Sequence, residues 1–117
     1  MHDRPGWIQL LYKRDNAEWA LHTAFLLNSF KDFVAEEADA QPDGREQLRQ
    51  VALSELTSPD PNFVTMSLLY LGVVGQSDDL PAVESFVAHP TELIQKAAQA
   101  SLFELKRKTR SARISGD

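Results

Sequence analysis

The chain has no cysteine. This excludes disulfides, thiolate metal sites and cysteine nucleophiles, and it fits a reducing compartment. No apolar run approaches the ~18 residues a membrane span needs. The opening stretch MHDRPGWIQLLYKRD has too short an apolar segment and the wrong flanks for a signal peptide. A cytoplasmic protein without a membrane partner is therefore expected. No alternating run of β-branched residues marks a strand. Gly-rich phosphate loops, a nucleophile elbow and a Ser/His/Asp arrangement are all missing, so the reading is of a non-enzyme. Only three histidines occur, His2, His22 and His89. His22 lies beside an apolar stripe and reads as structural. His89 precedes Pro90 and can cap the helix that follows. Neither a metal nor another cofactor is implied.

Charge of one sign is scarce over most of the chain. Residues 1–105 hold 7 basic and 16 acidic residues, a net of −9, whereas Lys106, Arg107, Lys108, Arg110 and Arg113 crowd the last twelve positions. An acidic body argues against nucleic acid as the main ligand and favours a basic protein partner. The basic end leaves open a contact with nucleic acid, beside the simpler reading of a solubilising tail.

What is present is helical periodicity. Residues 4–14, with Trp7, Ile8, Leu10, Leu11 and Tyr12, predict a short leading helix. Asp15 and Glu18 have the form of a capping box. A long amphipathic helix then carries Trp19, Thr23, Leu26, Leu27, Phe30, Phe33 and Val34 on one stripe. Glu36–Gly44 reads as the main loop, with Asp43 and Glu46 as a second capping box. Leu48, Val51, Ala52 and Leu56 predict a helix over Arg45–Thr57. Asp60-Pro61 places a carboxylate at an N-cap and a proline at the first helical position of a helix apolar nearly all round, Pro61–Val74. Gly72 and Gly75 bracket its end, and one of them can supply a left-handed C-cap. Leu80, Val83, Phe86 and Val87 predict a helix over Leu80–Ala88. Ile94, Ala97, Ala98, Leu102 and Leu105 predict the last one. After about Lys108 the composition predicts fraying, so the domain is drawn over 1–108 with a flexible basic tail over 109–117.

Two of these segments repeat. FVTMSLLYLG at Phe63–Gly72 and IQKAAQASLF at Ile94–Phe103 are related by an offset of 31 residues, a period typical of helical repeats. LGVVGQSDDLPAV resembles the inter-helix turn of HEAT repeats, often L-G-x-x-G-D-x-x-A-L-P-A-L. IQKAAQASL resembles the V-R-K-A-A-A-E-A-L core of short bacterial HEAT-like repeats. Gln76, Gln95 and Phe103 depart from that pattern at the positions of its usual Asp, Arg and Gly. The resemblance covers Asp60–Leu105. It implies an all-α fold, a right-handed α-solenoid of about three antiparallel helix pairs, in which the second helix of each pair lines a concave surface. It does not fix a function. The iron-binding His-Glu pairs of HEAT-like hydroxylases have no counterpart here. The broad basic face of the HEAT-like DNA glycosylases does not suit an acidic body.

The candidate site residues follow from charge and from this resemblance. Glu36 and Glu37 belong to an acidic stretch with Asp39 and Asp43; it reads as a solvated cluster or as a patch for a basic partner, since the spacing of an EF-hand loop is missing. Asp78, Asp79 and Glu84 lie at the turn into the Leu80–Ala88 helix, where capping is the plain reading. The resemblance places Arg45, Arg49, Gln50, Glu84 and Ser85 on concave-surface helices. The expected function is protein binding, with an immunity or inhibitor protein against a basic toxin as its concrete form, by analogy of size, charge and fold. The alternative is a small-ligand binder or enzyme using the concave groove.

Overall fold

The computed structural model describes residues 6–12 and 29–116. The Asp15–Glu18 capping box and the first half of the long amphipathic helix lie outside the described residues. Among the described residues the fold is all helical, without a strand. The elements are α1 (Gly6–Leu11), α2 (Ser29–Asp39), α3 (Gly44–Glu55), α4 (Pro61–Val74), a 3-10 turn (Ser77–Asp79), α5 (Leu80–Glu84) and α6 (Glu92–Gly116).

The central helix is α4. It starts as its sequence requires: Asp60 is extended, its carboxylate accepts a hydrogen bond from the Asn62 N–H at 2.9 Å, and Pro61 opens the helix. Every residue from Val64 to Val74 is buried. Met66, Leu68 and Leu71 are fully enclosed, and burying each such side chain is worth ~1.5–3 kcal/mol. A helix with no polar side needs neighbours all round, and α4 packs mainly on α6 and α3, with α2 as a smaller contact.

The α6 flank is a close approach of backbones. A Cβ on Gly72 would lie 3.1 Å from Ser101 Oγ and 3.2 Å from Ser101 Cα, so glycine and serine let the helices meet. The Ser101 hydroxyl donates to the Leu68 carbonyl. One turn on, a Cβ on Gly75 would lie 3.2 Å from the Leu105 side chain. The register thus advances in the same direction on α4 and α6. Neither glycine has a positive φ, so the expected left-handed C-cap is not formed. Gly75 is extended, its N–H bonds the Leu71 carbonyl at 2.7 Å, and lack of room for a side chain explains the glycine.

The α1 flank is docked by tyrosines. Tyr12 exchanges a 2.7 Å hydrogen bond with Ser67 Oγ, and the Tyr70 hydroxyl donates to the Leu11 carbonyl. The two rings meet edge to face with centroids 5.2 Å apart. Both hydroxyls are satisfied inside the core, which removes the penalty of burying them.

Several boundaries differ from the sequence expectations. The loop drawn at Glu36–Gly44 begins late, because α2 continues to Asp39. Asp43 is left-handed (φ 54°) and makes no side-chain cap, so the Asp43–Glu46 box is absent. The turn is so tight that a Cβ on Gly44 would fall 1.9 Å from the Ala38 carbonyl oxygen. The helix expected over Arg45–Thr57 ends at Glu55. The helix expected over Leu80–Ala88 ends at Glu84; Phe86, Val87 and His89 N–H groups then bond three residues back, as in a tightening terminal turn. Phe33, placed on the apolar stripe, is 43% exposed, while its neighbour Val34 is buried. At the other end α6 carries a helical backbone to Gly116, through the stretch drawn as a tail. Leu, Lys, Arg and Ala are good helix formers, and no proline intervenes.

Candidate functional site

The charged side chains gather along α3 and at the end of α2. Arg45 and Arg49 are one turn apart, so they share a face of α3. Each forks onto a carboxylate from another element, but the surroundings differ.

Arg45 reaches back to α2. Its Nε lies 2.7 Å and its Nη2 3.1 Å from the two Asp39 oxygens, with both side chains about half exposed (50% and 57%). The hydrogen bond from Arg45 holds the Asp39 carboxyl below the ordinary carboxylate value, and the same bond raises the guanidinium.

Arg49 reaches forward to the 3-10 turn. Its Nε lies 2.8 Å from Asp79 Oδ2 and its Nη2 2.9 Å from Asp79 Oδ1. The Asp79 side chain is 4% exposed and that of Arg49 16%. The Gln76 N–H also donates to Asp79 Oδ2 at 2.8 Å. On its outer side Arg49 contacts Glu46 at 3.2 Å, and the Gln50 amide bonds the same Glu46 oxygen at 2.7 Å. The hydrogen bond to Asp79, ahead of the burial that opposes it, raises the Arg49 pKa. A bidentate pair with its remaining lone pairs satisfied is the condition under which a buried charge pair is tolerated.

The residues singled out from sequence therefore separate. Arg49 and Asp79 meet inside the fold, and they tie α3 to the turn before α5. The Asp79 carboxylate is enclosed and engaged within the chain, while Arg49 keeps an outer side against the exposed Glu46. Arg45 is exposed and engaged by Asp39. Glu36 and Glu37 are exposed on the last turns of α2, and Asp78 and Glu84 are exposed at the turn and on α5. His89 Nδ1 accepts from the Thr91 N–H at 3.0 Å, a bond within the turn ahead of α6 rather than to a helical N–H.

Sequence reasoning grouped Asp39 with Glu36 and Glu37 but passed over Asp32 and Phe33 as parts of the same surface. Both are exposed on α2 with Glu36, Glu37 and Asp39. The signal was present, because Asp32 and Glu36 stand four residues apart. The loop assigned over Glu36–Gly44 hid it. No side-chain group among the described residues is arranged to hold a metal ion, and none of the described helices is long and apolar enough to cross a membrane. The chain matches no family model, no curated protein and no solved structure.

Proposed function

We propose that this protein is a non-enzymatic protein-binding module, a small HEAT-like α-solenoid that docks a basic protein partner on its acidic side, with an immunity- or inhibitor-type role as the concrete form. The observation that carries the reading is the placement of charge on α2. Asp32, Glu36 and Glu37 are exposed, beside an Asp39 already held by Arg45, on an 11-residue helix whose last turn has no basic residue. Acidic side chains at a helix C-terminus oppose the macrodipole, and like charges four apart repel, each at a few tenths of a kcal/mol. An arrangement that costs stability locally is well suited to a cationic partner, which would relieve it and be steered towards it.

The solenoid part of the proposal draws on two spacings. The contacting segments of α4 and α6 advance in the same direction, with Gly72 and Leu68 meeting Ser101 and Gly75 meeting Leu105 at separations of 29, 33 and 30 residues, close to the 31-residue offset of the repeated sequence. The Arg49–Asp79 bridge spans 30 residues, nearly the same step, as a bond between successive repeats would.

The test is affinity capture from the cell that makes the protein, washed at two salt concentrations, with wild type beside Glu36→Lys/Glu37→Lys. A stoichiometric basic protein held at low salt, released at high salt and lost in the variant is the expected result. Recovery of the chain alone, or capture indifferent to the two reversals, would overturn the reading.

A further inference from the structure

Two large apolar side chains stand out of the described surface: Phe33, 43% exposed on α2, and Phe103, 64% exposed on α6. The charges that follow them are opposite in sign and alike in spacing, with Arg107 also holding Glu104 at 2.8 Å on its own helix. Phe33 is followed at i+3 and i+4 by Glu36 and Glu37, both exposed. Phe103 is followed at i+3 and i+4 by Lys106 and Arg107, both exposed. In each helix those three positions lie on one face. The remaining outward side of α6 is polar, with Glu92, Lys96 and Gln99 exposed, so Phe103 is not explained as the edge of a buried stripe. Among the described elements, α2 packs mainly on α3 and α4, whereas α6 packs mainly on α4, α5 and the 3-10 turn.

We infer that the Phe103–Lys106–Arg107 face of α6 docks on the Phe33–Glu36–Glu37 face of α2 in a second copy of this chain. The aromatic of each face supplies the apolar anchor, and the flanking charges pair across the contact. Ring and charges have the same offsets on both helices, so two helices laid parallel bring ring to ring and unlike charges together one turn further on. The contact is head to tail, since it joins two different surfaces. Repetition therefore generates closed rings or open chains rather than one isologous dimer. The inference shares with the proposed function the reading of the α2 surface as a site for cationic groups, and it goes further in naming an occupant.

Sedimentation velocity on the full chain tests it, across a concentration series at 50 mM and 500 mM NaCl. The expected result is a mass that rises above 13.1 kDa with concentration at low salt and falls back towards the monomer at high salt. Phe103→Asp, Glu36→Lys/Glu37→Lys and Lys106→Glu/Arg107→Glu should each weaken association at least tenfold while retaining wild-type helical circular dichroism. All of these positions are exposed, so the fold is expected to tolerate the changes. The decisive arm mixes the two charge-reversed variants. Each alone carries like charges on both faces, and together they restore unlike pairs, so the mixture should associate where neither component does. Monomers at every concentration, association unmoved by Phe103→Asp, or a mixture that stays monomeric would overturn the inference. Lys106→Glu/Arg107→Glu leaves the α2 surface intact. Capture of a basic partner by that variant would keep the proposed function standing after self-association had failed, whereas a wild-type chain that self-associates at low salt but captures no basic partner would keep the inference and overturn the proposed function.

Discussion

The two arginine forks on α3 make the same chemical contact in opposite surroundings. At the Arg45 corner, both partners are about half exposed and water competes for every bond. Four residues on, the Arg49 fork closes over a carboxylate that is 4% exposed and that also holds the Gln76 N–H. In water an ion pair gains little, because solvation of the separated charges nearly matches the attraction. In the interior the pair as a whole also gains little over apolar groups of the same shape, but removal of one member is costly, because the other is left without solvent or partner. Geometry alone does not separate the two forks. The difference lies in what remains when one half is taken away.

The largest effect is expected from Arg49→Ala. It takes the guanidinium away from the enclosed Asp79 carboxylate, and urea unfolding should show a loss of ~2–4 kcal/mol, lowered because water can reach the site from the Glu46 side. A smaller effect is expected when both partners go. Arg49→Met/Asp79→Leu removes more hydrogen bonds than the single change, yet should fall within ~1 kcal/mol of wild type, less the Gln76 N–H it leaves open. A double variant weaker than Arg49→Ala would show that the pair itself stabilises the fold. At the exposed corner, Arg45→Ala should leave the urea midpoint within the scatter of replicate measurements.

The smallest effect is electrostatic and is read best by NMR titration of the carboxyl carbons. Asp39 should titrate below the ordinary carboxylate range in the wild type and return to it in Arg45→Ala. The sign follows from the lowered value in the fold. Whatever stability the pair adds is present above the unfolded Asp value near pH ~4 and is lost as the pH falls through the lower folded value. An Asp39 that titrates identically in both proteins would show that the fork is not populated in solution, and the comparison would then lose one of its sides.

Much of the helical layout was legible because its signals are short-range. The Asp60-Pro61 start, the all-round apolar run of α4 and the buried stripe Ile94, Ala97, Ala98 and Leu105 of α6 all follow from neighbours within a few turns. Errors arose where a local signal competed with packing. Asp43 looked like an N-cap, but the tight return from Ala38 to Gly44 fixes it left-handed and turns its side chain from that task. The glycines around the end of α4 looked like conformational switches, yet they serve as clearances. Of the candidate site, Glu36 and Glu37 were found by charge, and Arg49 came from the resemblance to HEAT-like repeats. Arg49 stands directly beside Leu48 in a stripe of buried residues, and that position was the available hint that its charge is enclosed.

By itself, the sequence determined that this chain forms helices, where most of them begin, and which faces are apolar. Periodicity and cap chemistry act between residues a few positions apart, so they survive without knowledge of the fold. It also determined the overall acidity and the opposite charges that follow Phe33 and Phe103. Only the tertiary structure decided which charges are exposed and which are enclosed. The contacts responsible join Arg49 to Asp79 across 30 residues, Tyr12 to Ser67 across 55 and Tyr70 to Leu11 across 59. Whether a carboxylate is a partner's target or an internal strut depends on which elements close over it. That is set by the packing of α4 against its neighbours, and no window of neighbouring residues contains it.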